Sequence, residues 1–211
     1  MAYSSIWYFT ETPQEIVDIL CKDVTQFNKD FQESGLLSED VYSESYANDK
    51  IRSSKHAWIP SYHWIGGFLW HYIALANRSN FLYDIECIDD ESIQYTEYTE
   101  GDHYTWHADT VIDYQYQPKY HRSTQTNVAE DKHVLSGESS RKLSFVMQLS
   151  NEEDYEGGEL QFHDQTKNSY IAPKKRGTII VFDSRVSHRV RKIKSGVRRS
   201  LVGWVVGPRW K

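Results

Sequence analysis

His107 and Asp109, two residues of types that commonly bind metal ions, are separated by a single alanine. Residues i and i+2 of a β-strand point to the same face, so an imidazole and a carboxylate at this spacing can reach one metal ion. With a distant second histidine they would form the two-histidine, one-carboxylate triad of non-haem Fe(II) oxygenases, which leaves coordination positions open. The pair alone also occurs by chance on protein surfaces, so the third ligand decides the interpretation.

Four histidines downstream of Asp109 are candidates for the third ligand: His121, His133, His163 and His188. The first two lie in a polar segment, and no anion-binding group follows His163 at a useful distance. His188 follows an apolar, strand-like segment and precedes Arg198 by ten residues. We therefore predict an iron site formed by His107, Asp109 and His188.

The segment after His188 contains a candidate anion clamp. Arg198 and Ser200 share one face of a predicted strand, and a guanidinium binds a carboxylate through two parallel hydrogen bonds. The pair could hold the distal carboxylate of a dicarboxylate whose 2-oxo acid end chelates the iron. A surface salt bridge is the alternative for Arg198. Arg199 is the competing cation, but strand alternation places it on the opposite face.

The elements that would position these residues are mainly strands. After residue 80 the apolar pattern changes to a period of two, and many short strands without intervening helices indicate a sandwich or barrel, the class of jelly rolls and cupins. The predicted strands are Phe81–Ile88, Ser92–Tyr98, Tyr104–Asp109, Lys142–Ser150, Glu159–His163, Thr178–Asp183, Ser187–Ile193 and Val197–Val206.

Residues 1–80 have a partly helical pattern. Thr12 is a candidate N-cap followed by proline and, three residues after the cap, by Glu15, and an apolar stripe at helical spacing follows. That stripe consists of Ile16, Ile19, Leu20, Phe27 and Phe31. A second helix is predicted from about Tyr62 to Asn77, with an apolar stripe formed by Ile65, Phe68, Leu69, Tyr72 and Ile73.

One polar segment, residues 113–140, has no clear periodicity. A connection of this length is usually functional or disordered. Its tyrosines suggest two alternatives, a lid that contacts a peptide and an exposed loop: Tyr114, Tyr116 and Tyr120.

Length and composition narrow the class further. The 211 residues, 39% of them hydrophobic, predict one globular domain over residues 1–211, with helical support in 1–80 and a β core in 81–211. A net charge of −6 argues against general nucleic-acid binding, and no apolar run is long enough to cross a membrane. A secretory signal is not visible, and Cys21 and Cys87 suggest buried thiols in a reducing compartment, so we expect a cytoplasmic protein.

Five ordered motifs carry a resemblance to a known family. The chain resembles the prolyl-4-hydroxylase-type 2-oxoglutarate/Fe(II) oxygenases, in particular their bacterial and phage PKHD-type branch, over about residues 92–204. The motifs are Tyr98–Asp109, Arg141–Ser150, Tyr155–Leu160, the strand after Gly177, and His188–Trp204.

The resemblance implies a double-stranded β-helix (jelly roll, cupin-like) with N-terminal helices. It assigns iron to His107, Asp109 and His188, and the distal carboxylate of 2-oxoglutarate to Arg198. It also implies that Tyr98 lines the co-substrate or substrate pocket. Gln148 stands where some relatives have a tyrosine near the co-substrate.

The same resemblance implies the activity. Fe(II), 2-oxoglutarate and O₂, with ascorbate as a reductant, would hydroxylate a C–H bond, and a prolyl residue in a peptide or protein is the expected substrate. Two alternatives stay open. One is the same chemistry on a free amino acid, a small metabolite or a nucleobase, and the other is a catalytically silent jelly-roll binding module.

Overall fold

A computed structural model describes residues 6–33, 51–60, 62–89, 93–110, 139–163, 168–208 and 210. The predicted segment 113–140 lies outside these residues except for its last two positions. The described strands are β1 Trp7–Glu11, β2 Gln32–Glu33, β3 Arg52–Ser53, β4 Lys55–Ile59, β5 Cys87–Ile88, β6 Ile93–Tyr98, β7 His103–His107, β8 Ser139–Gln148, β9 Tyr155–Gly157, β10 Leu160–His163, β11 Ser169–Ile171, β12 Thr178–Asp183, β13 His188–Val190, β14 Ile193–Gly196 and β15 Arg198–Pro208. The α-helices are α1 Gln14–Val24 and α2 Trp64–Ala76.

The strands form antiparallel sheets. The large sheet has the order β1-β12-β8-β15-β6-β4-β2, with β5 paired to β15. The second sheet has the order β11-β10-β13-β7-β3, and β14 pairs with β9. Non-consecutive neighbours such as β8 and β15 are expected of a jelly-roll arrangement and not of a simple meander. The sequence prediction of a mainly β fold with N-terminal helices is confirmed.

Strand β8 shows how the layers are held together. Leu143, Phe145 and Met147 alternate with residues of the opposite face and join the cluster that packs under the two helices. Val146, from the opposite face, joins a second cluster with Phe162 of the second sheet. Because strand side chains alternate between faces, one strand contributes to both cores, and its inner polar residues face the second sheet.

Helix α1 begins differently from the prediction. The N-cap position is Pro13, with no side-chain cap, and the buried hydroxyl of Thr12 instead donates to the carbonyl of Gly177 at 2.8 Å. The buried stripe is Val17, Leu20 and Val24, whereas Ile19 is 58% exposed. The helix gives way to a 3₁₀ segment at residues 25–30, so the predicted stripe drifts off register. The stripe of α2 is correct: Ile65, Leu69 and Ile73 are buried.

Several other element predictions need correction. Residues 1–80 contribute β1 and β4 to the large sheet besides their helices. The predicted strand 81–88 is confined to Cys87–Ile88, because a π-helical turn occupies Asn77–Phe81. The predicted strand 187–193 is divided into β13 and β14, which belong to different sheets. Cys87 is exposed and Cys21 half-buried, so the expectation of two buried thiols is wrong. Within the described residues no helix is long and apolar enough to cross a membrane.

Candidate metal centre

The structure brings His107, Asp109 and His188 together at one end of the second sheet. His107 ends β7 and pairs directly with His188, the first residue of β13. Strand β7 ends before Asp109, so the predicted strand was two residues too long. The Nε2 atoms of His107 and His188 lie 3.6 and 3.5 Å from the Asp109 carboxylate oxygens, and one ligand atom from each residue lies within 4.8 Å of the others. This spacing suits three ligands on one face of a metal ion.

Both imidazole rings are oriented by the backbone. Nδ1 of His107 lies 2.8 Å from the carbonyl oxygen of Thr105, and Nδ1 of His188 lies 3.0 Å from that of Val186. Since a carbonyl only accepts, Nδ1 of each ring carries the proton and Nε2 presents its lone pair. This is the tautomer of a metal-ligating histidine, and such a partner also fixes the ring.

The Asp109 carboxylate is held from a neighbouring strand. Ser144 of β8 donates its hydroxyl hydrogen to Oδ2 of Asp109 at 2.6 Å, and its Oγ lies 2.9 Å from that of Ser184. The backbone N–H groups of Asp109 and Thr110 donate to the carbonyl of Ser184 at 2.9 and 3.1 Å. The loop after β7 is therefore fixed against the large sheet, and one carboxylate oxygen is oriented by a hydroxyl.

The charges of the cluster suit a cation. Burial, together with the neighbouring His188, lowers the pKa of His107 to about 4, so its ring is neutral at neutral pH. Burial acts to raise the pKa of Asp109, but the two histidines and the Ser144 hydroxyl hold it below its usual value. A neutral imidazole at His107 and an ionised carboxylate at Asp109 are the protonation states in which these groups bind a metal ion.

We expect Ser144→Ala to weaken metal binding about tenfold, because loss of a hydrogen bond that orients a metal ligand typically costs about 10- to 100-fold in affinity. The measurement is a Co(II) titration followed by visible absorbance under anaerobic conditions. Ser184→Ala is the matched control, since it leaves the direct Ser144 hydrogen bond to Asp109 in place. A larger loss in Ser184→Ala than in Ser144→Ala would contradict this arrangement.

A second feature of the site is a buried cation, Arg198, at the start of β15. It is 1% exposed, and its guanidinium donates to Ser200 Oγ at 3.2 Å and to Gln148 Oε1 at 3.0 Å. Arg198 pairs with Tyr98 across β15 and β6, and Ser200 pairs with Gln148 across β15 and β8. Directly opposed residues of antiparallel strands share a face, so these four side chains lie together between the sheets.

Among the described residues, the pocket around Arg198 contains a buried positive charge without a negative partner. No carboxylate of the described residues bonds to the Arg198 guanidinium, although a buried charge without a counter-ion is strongly disfavoured. Three buried polar atoms of this region have no hydrogen-bond partner among the described residues: Arg198 Nε, Tyr155 Oη and, on the residue that pairs with Ser200, Thr96 Oγ1. An anion with several acceptor oxygens would satisfy them, so the residues present fit a dicarboxylate.

Of the remaining candidates from the sequence, Arg199 and His163 lie outside both the metal cluster and the Arg198 pocket. Arg199 lies on the other face, where its guanidinium binds Glu97 at 2.8 Å. His163 stacks on Trp106 with ring centroids 3.7 Å apart, and it is not part of the metal cluster. His121 and His133 lie outside the described residues.

Two further residues lie beside Asp109 and Ser144, and sequence reasoning gave them no role in the chemistry: it took Trp204 as core or pocket wall and placed Arg141 only within a family motif. Trp204 pairs with Ser144 across β15 and β8 and therefore shares its face. The Arg141 guanidinium lies 3.9 Å from the Trp204 ring centroid and donates to the carbonyl of Asp109 at 3.4 Å. The indole N–H of Trp204 has no acceptor among the described residues. Both residues belong to motifs of the family resemblance, which was the available signal.

Comparisons with known proteins give matches both in sequence and in fold. A family model described as the 2OG-Fe(II) oxygenase superfamily matches residues 93–206. A PKHD-type hydroxylase of Synechococcus sp. (strain CC9311) is 34% identical over 109 residues, which are 47% of this chain and 48% of that protein. A PKHD-type hydroxylase of Prochlorococcus marinus (strain MIT 9515) is 44% identical over 73 residues, 34% of this chain and 31% of that one. The chain thus matches about half the length of these curated relatives or less.

Solved structures match the fold over nearly the whole chain. A Pseudomonas putida prolyl-4-hydroxylase has a TM-score of 0.64 at 18% identity, covering 98% of this chain and 94% of that one. A Trichoplax adhaerens prolyl hydroxylase, solved in complex with a hypoxia inducible factor peptide fragment, has a TM-score of 0.65 at 15% identity, covering 96% and 84%. At these identities the likeness concerns the fold alone, and with the family match it confirms the predicted double-stranded β-helix.

Proposed function

We propose that the chain, which belongs to the 2OG-Fe(II) oxygenase superfamily, hydroxylates a substrate C–H bond with iron held by His107, Asp109 and His188. The observation that carries the proposal is the combination of two features in one fold. A preorganised two-histidine, one-carboxylate cluster lies at one end of the second sheet, and between the same sheets a buried guanidinium has no carboxylate partner among the described residues. The first suits Fe(II), and the second suits the distal carboxylate of 2-oxoglutarate.

When bound, iron and 2-oxoglutarate supply the oxidising chemistry, in which one atom of O₂ enters succinate as CO₂ is released and the other enters the substrate. The protein's own contribution is positioning. The backbone carbonyls hold the Nε2 atoms of both histidines toward the metal, and Ser144 orients the carboxylate. Arg198 and Ser200 would fix the far end of the co-substrate, while Gln148 supports Arg198 through the hydrogen bond to its guanidinium. Tyr98 lines the pocket, with the Arg198 guanidinium 5.5 Å from its ring centroid.

The proposed substrate is a prolyl residue in a peptide or protein. Relatives named as PKHD-type hydroxylases and structures named as prolyl hydroxylases, one of them holding a peptide, support this class. Beside Asp109 and Ser144, the Arg141 guanidinium and the Trp204 indole N–H are donors suited to peptide carbonyls. The same donors suit the carboxylate of a free amino acid, which is the alternative substrate. A cytoplasmic location belongs to this proposal as well.

The direct test incubates the protein with Fe(II), 2-oxoglutarate and ascorbate in the presence of prolyl peptides, free amino acids and nucleobases. We expect substrate-dependent succinate release, and a gain of one oxygen on a prolyl peptide by mass spectrometry. Oxygen gain on a free amino acid or a nucleobase alone would overturn the prolyl assignment. Binding of Fe(II) and 2-oxoglutarate without succinate release on any substrate would favour a silent binding module.

We expect Trp204→Phe to raise the KM for a peptide substrate about tenfold, because it removes one buried hydrogen-bond donor while keeping an aromatic ring beside Arg141. Steady-state kinetics with varied peptide would show this, and the Kd for 2-oxoglutarate should stay unchanged. Trp210→Phe is the matched control, since Trp210 lies after the end of β15 and its ring is contacted by Lys142 and Arg185. An equal effect of the two substitutions would contradict a substrate role for Trp204.

A further inference from the structure

Tyr155 is a buried tyrosine with an unsatisfied hydroxyl. It begins β9 and is 5% exposed. Its Oη is buried and has no hydrogen-bond partner among the residues that the structure describes. Burying a hydroxyl without a partner destabilises the fold, and such groups in native proteins usually serve a ligand or a function. The hydroxyl therefore points to a partner that binds from outside the chain.

The Tyr155 side chain lies against the Arg198 pocket. A Cβ placed on Gly158 would lie 3.0 Å from Arg198 Cδ and 3.2 Å from Tyr155 Cε2, so the two side chains converge over this glycine. Gly158 has a positive φ of 64°, which favours glycine. Arg198 Nε is also buried and without an acceptor among the described residues. Two unsatisfied donors, from β9 and β15, thus occupy one buried site.

The aromatic ring of Tyr155, unlike its hydroxyl, has packing partners within the chain. Lys174 Nζ lies 4.1 Å from the Tyr155 ring centroid and donates to the carbonyl of Gly157 at 3.2 Å. The ring also packs in a cluster with Tyr98 and Ile193. Burial raises the pKa of Tyr155, whereas the charge of Arg198 and the approach of its guanidinium to the phenol oxygen act to lower it. The phenol is therefore protonated at neutral pH, and its hydrogen is available to an acceptor. Packing accounts for the ring but not for the hydroxyl.

Gln148 offers a contrast in the same pocket. Its Oε1 accepts from Arg198 at 3.0 Å, and its Nε2 donates to the carbonyl of Pro173 at 3.4 Å. Both ends of the amide are engaged, so Gln148 holds Arg198 in place and its amide has little left to offer a ligand. The two oxygens of a carboxylate offer about four lone-pair sites. A carboxylate in this pocket can therefore accept hydrogen bonds from other groups besides the Arg198 guanidinium.

We propose that the Tyr155 hydroxyl donates a hydrogen bond to the distal carboxylate of 2-oxoglutarate, as a further anchor beside Arg198 and Ser200. This inference rests on the proposed function, because it assigns a residue to the co-substrate of that site. It also gives β9, an element that lies outside both main sheets, a role in binding the co-substrate. The specificity for a dicarboxylate over a shorter 2-oxo acid would then depend on two elements, β9 and β15.

Tyr155→Phe tests the proposal by removing one oxygen atom. Anaerobic titration of the Fe(II) protein with 2-oxoglutarate, followed by the visible charge-transfer band, should give a Kd raised about tenfold or more, because a hydrogen bond to a charged group is lost. Pyruvate, which lacks the distal carboxylate, should bind both proteins equally. The thermal midpoint of the metal-free, ligand-free variant should equal or exceed that of the wild type, since an unsatisfied buried hydroxyl has been removed.

Tyr170→Phe is the matched control, because Tyr170 is 41% exposed on β11, and it should leave all three measurements unchanged. Wild-type affinity for 2-oxoglutarate in Tyr155→Phe would overturn the inference while leaving the proposed function intact. An equal loss of 2-oxoglutarate and pyruvate binding would also overturn it, since the pocket as a whole would have changed. Failure of the wild-type Fe(II) protein to bind 2-oxoglutarate would instead refute the proposed function.

Discussion

His188→Ala is expected to abolish turnover and to weaken Fe(II) binding by more than about 100-fold, since even residues that only support a metal ligand typically contribute about 10- to 100-fold. The structure gives the reason. His188 supplies one of three ligand atoms that lie within 4.8 Å of one another, and its ring is oriented by the Val186 carbonyl. The measurement is metal content after anaerobic loading and gel filtration, together with succinate release.

His163→Ala is the control for the loss of a histidine as such. His163 is a β10 residue whose ring stacks on Trp106, and Phe162, its neighbour, packs in the core between the sheets. Removing His163 should leave iron content within experimental error. Equal iron content and activity in His188→Ala and the wild type would remove the triad assignment, and iron loss in His163→Ala alone would move the third ligand to β10.

The proximity of His107, Asp109 and His188 was only partly predictable from local sequence patterns. The two-residue spacing places His107 and Asp109 on one face only where the backbone is extended, and here the strand ends at His107, so the position of Asp109 depends on the loop that binds to Ser184. The sequence could not show that β13 pairs with β7 and so brings His188 opposite His107. That contact spans 81 residues of chain, and only the family resemblance or the folded structure supplies it.

Other features depended on tertiary contacts and were not predictable. Thr12 has the type and position of an N-cap, yet its hydroxyl satisfies a carbonyl 165 residues away. Ser144 is one of many serines in the sequence, and its role appears only when Asp109 folds back against β8. The same holds for Ser184, whose hydroxyl contacts that of Ser144 only in the folded chain. It also holds for Tyr155, whose hydroxyl is buried without a hydrogen-bond partner among the described residues. Local pattern identifies residue types that can do chemistry, while the packing of distant strands selects among them.

Arg198→Ala is expected to lower the affinity for 2-oxoglutarate by at least ~30-fold. Losing one partner of a buried, charge-assisted pair costs roughly 2–5 kcal/mol, and about 1.4 kcal/mol corresponds to tenfold. The guanidinium is 1% exposed and bonded to Ser200 and Gln148, both neutral, so its charge is available to an anion. Fe(II) affinity should change little, because the metal-ligand cluster does not include Arg198.

Arg199→Ala separates the buried cation from its exposed neighbour. Arg199 binds Glu97 on the outer face of the large sheet, and exposed ion pairs contribute about 0–1 kcal/mol. Titration of each anaerobic Fe(II) variant with 2-oxoglutarate should therefore show weak binding for Arg198→Ala and near wild-type binding for Arg199→Ala. The reverse result would mean that the co-substrate binds on the outer face. Normal binding by both variants would place the anion clamp elsewhere and remove the main physical support for 2-oxoglutarate in this pocket.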